Sequence, residues 1–271
     1  MKKQFKLGVI GCGLMAHSIL RGAILSDLLR SKKVIVSDVD MDKLQKVNEE
    51  LDVFFTKDNR YVAENSEFVL FAIKPQNFAQ VASELQGVCP EKIISIMAGV
   101  KKATIKNSLG VKIMKVARCM PNLPCAIGSG MMGLDMSDFN SDTSDTEFID
   151  MLFGSMGNVL SIGEDKMDAV TAISGSGPAY VFMFLESLID AGVKNGLTRD
   201  EATTLAIQTV SGGAEMAAHS DKTLPELIKD VCSKGGTTVE AVNVLESNYF
   251  RGIVGDAVDA CVKRSKELSD L

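Results

Sequence analysis

Two rhythms of apolar residues divide the chain. From residue 5 to about 160, short apolar runs alternate with stretches whose apolar residues recur every three to four positions. The runs Lys6–Ile10, Val34–Ser37, Phe68–Ile73, Ile93–Ile96 and Lys112–Ala117 are near-continuous, the pattern of strands covered on both sheet faces. Between them lie helical stretches such as Met15–Leu29, with Leu20, Ile24 and Leu28 on one stripe. Strand–helix–strand alternation predicts parallel pairing, because parallel strands need crossovers. Residues 1–162 are therefore expected to form a doubly wound α/β domain. The polar, acidic stretch Asp135–Glu147 predicts a loop and a helix start.

Beyond about residue 162 the strand pattern stops. Pro178–Val193, Arg199–Ala218, Leu224–Val231, Val239–Glu246 and Phe250–Glu267 predict an all-α domain over residues 163–271. Ala179–Leu188 (AYVFMFLESL) is apolar nearly all round, as in a helix buried on every side. A domain of about 110 residues has little room to bury one helix completely. The helical half is thus expected to dimerise around it, the alternative being a monomeric bundle with this helix at its centre.

Composition narrows the function classes. The chain has 271 residues, 46% apolar and 24% charged, as in a globular protein with a substantial core. A net charge of −6, 6% aromatics and no Trp weigh against a nucleic-acid partner. The densest basic cluster, Lys263-Arg264-Ser265-Lys266, ends a helical pattern, where cations offset the helix dipole. No run approaches the roughly 20 apolar residues that span a bilayer. The start MKKQF lacks a signal-peptide core, so no membrane partner is expected. The six cysteines (Cys12, Cys89, Cys119, Cys125, Cys232, Cys261) form no CxxC pair, and only His17 and His219 could assist them. Neither a metal site nor a disulfide framework is predicted, and free thiols imply a reducing, cytoplasmic setting.

The first strand runs into Gly11-Cys12-Gly13-Leu14-Met15-Ala16, a G-x-G-x-x-A turn that opens a helix. Gly11 allows the tight turn, Gly13 lets backbone approach a pyrophosphate, and Ala16 permits close helix–strand packing. The pyrophosphate of a dinucleotide is then met by free N–H groups at the helix N-terminus. Asp38 ends the second strand about 22 residues after Ala16, near the spacing of an acid that binds the adenosine ribose. A carboxylate there favours NADH and repels a 2′-phosphate. Lys43 is close by, so NADPH stays open.

In the second half, Ile173-Ser174-Gly175-Ser176-Gly177-Pro178 reads as a capped helix start. Its glycines permit close approach of a nicotinamide or a partner subunit. Ser233-Lys234-Gly235-Gly236-Thr237-Thr238 precedes another helix. Its N–H groups and hydroxyls suit a small carboxylate. It reads equally as a helix–helix connection with Thr237 or Thr238 as N-cap.

Several separate motifs resemble pyrroline-5-carboxylate reductase: GVIGCGLMA, AIKPQ (Ala72–Gln76), SIMAGV (Ser95–Val100), RCMPNLPCAIGSGM (Arg118–Met131), MDAVTAISGSGPAYVF (Met167–Phe182), DAGVKNGL (Asp190–Leu197), and SKGGTT followed by VLESNYFRG. The ISGSGPAY and GGTT blocks are the most specific. The resemblance implies a Rossmann domain, a helical dimerisation domain, and dimers that often assemble further, as in a ring. It implies hydride transfer from NAD(P)H to the C=N bond of 1-pyrroline-5-carboxylate, giving L-proline. Carried over, the cofactor lies against Ile10, Gly11, Cys12, Gly13, Leu14, Met15, Ser37, Asp38, Asn59, Ala72, Ile73, Lys74, Pro75, Ile96, Met97 and Ala98. The substrate carboxylate lies against Ser233, Gly235, Gly236 and Thr237, with the catalytic Thr238 hydroxyl near the ring nitrogen and Glu164 lining the pocket.

The chain departs from that family in two places. Cys232-Ser233-Lys234 stands where relatives usually have Thr-Ser-Pro or Ser-Ser-Pro, which leaves the loop less rigid. Asp38-Val39 replaces pairs such as Asn-Arg that suit a 2′-phosphate. Two other readings compete. A β-hydroxyacid dehydrogenase needs a base, usually a lysine soon after the glycine pair, and Pro178-Ala179-Tyr180-Val181-Phe182 supplies none. A non-catalytic dinucleotide sensor would leave the 233–238 loop without a purpose.

Overall fold

The computed structural model describes residues 3–88, 90–110, 114–139 and 143–269. Cys89, the expected strand residues Lys112 and Ile113, and residues 140–142 of the expected loop lie outside these ranges. Cα packing divides the chain into two compact units, Met1–Ser176 with Cys261–Leu271, and Gly177–Ala260. The division falls at residue 176, beyond the expected 162, and the last turns of the chain belong to the first unit.

The first unit is built on one eight-stranded sheet ordered β3-β2-β1-β4-β5-β6-β7-β8. The strands are β1 Phe5–Ile10, β2 Val34–Ser37, β3 Phe54–Thr56, β4 Ser66–Phe71, β5 Lys92–Ser95, β6 Lys115–Met120, β7 Gly130–Asp135 and β8 Gly157–Ser161. The order of the first six is that of a dinucleotide-binding sheet. All neighbours are parallel except β6 and β7, which run antiparallel with Arg118 opposite Asp135. Helices α1 Leu14–Leu25, α2 Met41–Leu51, α3 Asn59–Asn65, α4 Phe78–Glu84, α5 Lys102–Leu109 and α6 Thr143–Gly154 make the connections. The strand side chains alternate between two cores. Leu7, Val9, Phe68 and Leu70 join one. Phe5, Ile10, Val69 and Phe71 join the other. Burying both faces explains why these strands read as unbroken apolar runs.

Three strands, β3, β7 and β8, fall outside the five apolar runs. β3 is a short edge strand with exposed phenylalanines. The strands β7 (GMMGLD) and β8 (GNVLS) are rich in glycine and polar residues, which weaken strand propensity. Asp135, read as the start of a loop, ends β7.

After β8, a short turn of helix α7 (Met167–Val170) passes through a π-turn, Thr171–Gly175, into α8 (Gly177–Lys194). The Ser176 N–H donates to Thr171 O at 2.8 Å, the five-residue step that marks the π geometry. Two expectations change here. The serines do not cap a new helix: Ser174 Oγ donates to Met131 O, and Ser176 Oγ pairs with Cys261 Sγ. Because the helix runs on through the serine-glycine stretch, Glu164–Lys194 is one helical run of 31 residues. By length and composition alone it is long and apolar enough to cross a membrane, although Ser174–Gly177 and its charged ends interrupt any continuous apolar run.

The second unit holds α8, α9 (Arg199–His219), α10 (Leu224–Val231), α11 (Thr237–Ser247) and the first part of α12 (Phe250–Ser269). Thr198 with Glu201, and Thr223 with Glu226, form capping boxes that start α9 and α10. α8 buries none of its residues within the chain. Phe182 is 53% exposed and Met183 67%. A helix so apolar and so open requires a cover from outside the chain, which removes the reading as the centre of a monomeric bundle.

Candidate active site

The glycine turn, Asp38, Ala72 and Ile96 meet at the carboxyl ends of β1, β2, β4 and β5. Gly11 has φ +101°, and its N–H donates to Ser37 O at 2.7 Å. A Cβ on Gly11 would stand 2.5 Å from Ala72 O, so only glycine fits between the strands. A Cβ on Gly13 would meet nothing within 4 Å, which leaves room for a ligand against the backbone. Gly13 is the N-cap of α1; no side chain caps that helix, and its first turn holds no acid. Its leading N–H groups are therefore available to an anion, as a pyrophosphate requires. The site fits a dinucleotide on that ground.

Asp38 faces into the turn. Its Oδ2 accepts the Cys12 N–H at 2.7 Å and its Oδ1 the Asp40 N–H at 2.9 Å. Burial, and then the Asp38 charge, push the Cys12 thiol up to about 11, so it stays neutral. Asp40 caps α2 through the N–H groups of Asp42 and Lys43, and its carboxylate pairs with Lys43 Nζ at 3.3 Å. Those bonds lower the Asp40 pKa and raise that of Lys43. Lys43 is thus already shared with a carboxylate.

Asn59 opens α3 and bridges two elements. Its Oδ1 accepts Ser37 Oγ at 2.6 Å, and its Nδ2 donates to Glu84 Oε2 at 2.6 Å. The Ala72 N–H donates to Ile10 O and the Ile96 N–H to Phe71 O, tying the next two loops to the strand ends. Met97 is buried, and its N–H donates to Ser95 Oγ. Lys74 precedes the turn Pro75–Asn77.

The expected substrate residues fall in different units. Glu164 belongs to the first, and Ser233–Thr238 to the second. In the second unit, Gly235 has φ +71°, which turns the chain back so that the Gly236 N–H donates to Ser233 O at 2.9 Å. Gly236 becomes the N-cap of α11, with no side-chain cap bond, and Thr237 and Thr238 take its first turn. The threonines are therefore not N-caps, because the extended residue before the helix is Gly236. Lys234 is exposed.

Sequence reasoning missed a buried ionic cluster. Lys102 Nζ donates to Asp135 Oδ1 at 2.6 Å, while Glu164 Oε1 accepts the Lys102 N–H at 2.7 Å and Arg118 Nη1 at 3.3 Å. Arg118 stands in a quoted motif, but its partners lie far along the chain, and Asp135 was hidden in an acidic run.

Comparison with known proteins agrees with this architecture. Residues 164–268 match the model of pyrroline-5-carboxylate reductase dimerisation, and residues 6–99 match that of NADP oxidoreductase, coenzyme F420-dependent. Pyrroline-5-carboxylate reductase of Pisum sativum is 36% identical over 99% of this chain and 98% of its own. That of Synechocystis is 38% identical over 98% of each. A crystal structure of Plasmodium falciparum pyrroline carboxylate reductase with NADP bound superposes with a TM-score of 0.88 at 30% identity, covering 99% of this chain and 100% of that one. The residues matched by the dimerisation model include the exposed α8. From full-length identity and the dinucleotide turn, the chain belongs to the pyrroline-5-carboxylate reductase family of NAD(P)H-dependent oxidoreductases.

Proposed function

We propose that the chain reduces 1-pyrroline-5-carboxylate to L-proline with residues 10–15, 37–38, 59, 72–75 and 96–98 holding the cofactor and 233–238 holding the substrate. The observation that supports this most is the pair of uncapped helix starts, α1 behind Gly13 and α11 behind Gly236, one in each unit. The first suits a pyrophosphate and the second a carboxylate.

When bound, the reduced nicotinamide supplies a hydride to the imine carbon. The N–H groups of Gly235 and Thr237, with the Ser233 hydroxyl, orient the carboxylate, while the Gly236 N–H donates to Ser233 O and holds the turn in shape. The Thr238 hydroxyl hydrogen-bonds the ring nitrogen, which carries a proton in the product amine. The imine enters already protonated at nitrogen, so hydride addition to the carbon gives the neutral amine directly, and positioning replaces a strong acid or base. This fits a sequence whose two histidines lie outside these motifs.

NADH is the preferred reductant in this reading. Asp38 is held by two backbone N–H groups, and Lys43 is engaged by Asp40. A 2′-phosphate would meet carboxylates before it met a free cation. We place the enzyme in the cytoplasm as at least a dimer, with dimers assembling further, and with no membrane or nucleic-acid partner. The test is loss of reduced-cofactor absorbance on adding 1-pyrroline-5-carboxylate, with L-proline as product. Activity only with hydroxyacids and NAD⁺, or none with either, would reject it.

A further inference from the structure

Helix α5 starts badly by its own sequence. Its N-cap is Lys101, which makes no side-chain cap bond, and its first residue is Lys102. Two ammonium groups at the positive end of a helix dipole are unfavourable, and the leading N–H groups need acceptors. A carboxylate from far along the chain takes that place. Glu164 Oε1 accepts the Lys102 N–H at 2.7 Å and, on the same oxygen, Arg118 Nη1 at 3.3 Å. The Glu164 N–H donates in turn to Asp135 Oδ2 at 2.6 Å, and Asp135 Oδ1 accepts Lys102 Nζ at 2.6 Å. Lys102 is thus gripped at its backbone by one carboxylate and at its ammonium by another, and the two carboxylate residues are bonded to each other. Lys102, Arg118 and Asp135 are all buried.

What this cluster holds is the end of a short loop. Residues 96–101 join β5 to α5. The loop also packs on the last turn of α12: a Cβ on Gly99 would stand 3.0 Å from Leu268 Cβ and 3.3 Å from Ser265 O. Ser265 is itself buried and donates to Asp168 Oδ1 at 2.6 Å. The loop is therefore clamped, with Glu164 at the α5 end.

We infer that Glu164 is a positioning residue for the cofactor: its carboxylate caps α5 and so fixes the 96–101 loop, which carries the cofactor-assigned Ile96, Met97 and Ala98. This rests on the cofactor reading above and replaces the pocket-lining role that family resemblance implies for Glu164. Binding of NADH can be followed by fluorescence titration of the full-length protein without any imine, which separates this role from substrate contact. Glu164→Ala is expected to raise the Kd for NADH about fivefold, the equilibrium equivalent of losing one helix cap. Glu164→Gln keeps an oxygen for the Lys102 N–H and is expected to raise it by less. In both, KM for 1-pyrroline-5-carboxylate should change by less than the NADH Kd. If Glu164→Ala does not fold, the Gln variant carries the same comparison. An unchanged NADH Kd with a raised imine KM would make Glu164 a substrate ligand and overturn the inference. So would an unchanged Kd with only a lowered Tm. A wild-type protein that binds neither NADH nor NADPH would remove the cofactor reading itself, and this inference with it.

Discussion

Asp38 Oδ2 accepts the backbone N–H of Cys12 at 2.7 Å, so the acid at the end of β2 is locked onto the glycine turn at the end of β1. The bond aims a fixed negative charge at the place where an adenosine ribose is expected to lie. Asp38→Asn keeps the size, removes the charge and leaves one side-chain oxygen for the two backbone N–H groups. A charge-assisted hydrogen bond contributes about 1.5–3 kcal/mol. The substitution should lower kcat/KM with NADH about tenfold or more and raise the NADPH/NADH ratio. Steady-state kinetics with both cofactors check this. An unchanged ratio would separate Asp38 from cofactor choice.

The substrate loop depends on a left-handed residue. Gly235→Ala places a side chain at φ +71°, which costs about 1–2 kcal/mol and shifts the loop away from its anion-binding shape. KM for 1-pyrroline-5-carboxylate is expected to rise about tenfold while the NADH Kd stays put. Thr238→Ala should instead lower kcat far more than it weakens NADH binding, because its hydroxyl is assigned to the reacting nitrogen. Turnover unchanged in Thr238→Ala would contradict that assignment.

The ionic cluster makes stability depend on acid. Burial alone would raise the Asp135 pKa, but hydrogen bonds from Lys102 and Ser137 outweigh it and bring it down to about 2 from 3.8. The unfolded chain binds the proton more readily, so the contribution is complete above about pH 4 and lost as pH falls through about 2. Asp135→Asn should cost about 2–3 kcal/mol at neutral pH, leaving the buried Lys102 ammonium with the more distant Asp138 carboxylate at 3.7 Å in place of its close partner. Denaturant titrations of both proteins should converge as pH is lowered from about 4 to 2. A gap constant over that range would mean that Asp135 does not titrate there.

Much of the dinucleotide half was legible because its signals are local. The turn Gly11–Ala16 and Asp38 sit at fixed spacings, and doubly covered strands betray themselves by unbroken apolar runs. The rest depends on tertiary context. β7 and β8 are strands because neighbouring strands pair with them, not because GMMGLD or GNVLS favour extended chain. The π-turn at 171–175 hides a continuous helix behind residues that read as a cap. Glu164 reaches Lys102 across 62 positions, and no local pattern announces that distance.

The exposed face of α8 predicts its own test. Met183→Glu adds a charge to a surface assigned to contact between copies and should weaken association by about 2 kcal/mol or more. Sedimentation equilibrium reads this as a shift towards monomer. An unaltered dimer would place the interface elsewhere on the helical unit.

The most direct measurement is kcat/KM for oxidation of NADH and NADPH with 1-pyrroline-5-carboxylate, set beside hydroxyacids with NAD⁺. L-Proline formed with a higher kcat/KM for NADH than for NADPH is the predicted result. No imine-dependent oxidation with either cofactor would contradict the assigned reaction, and a clear preference for NADPH would contradict the role given to Asp38.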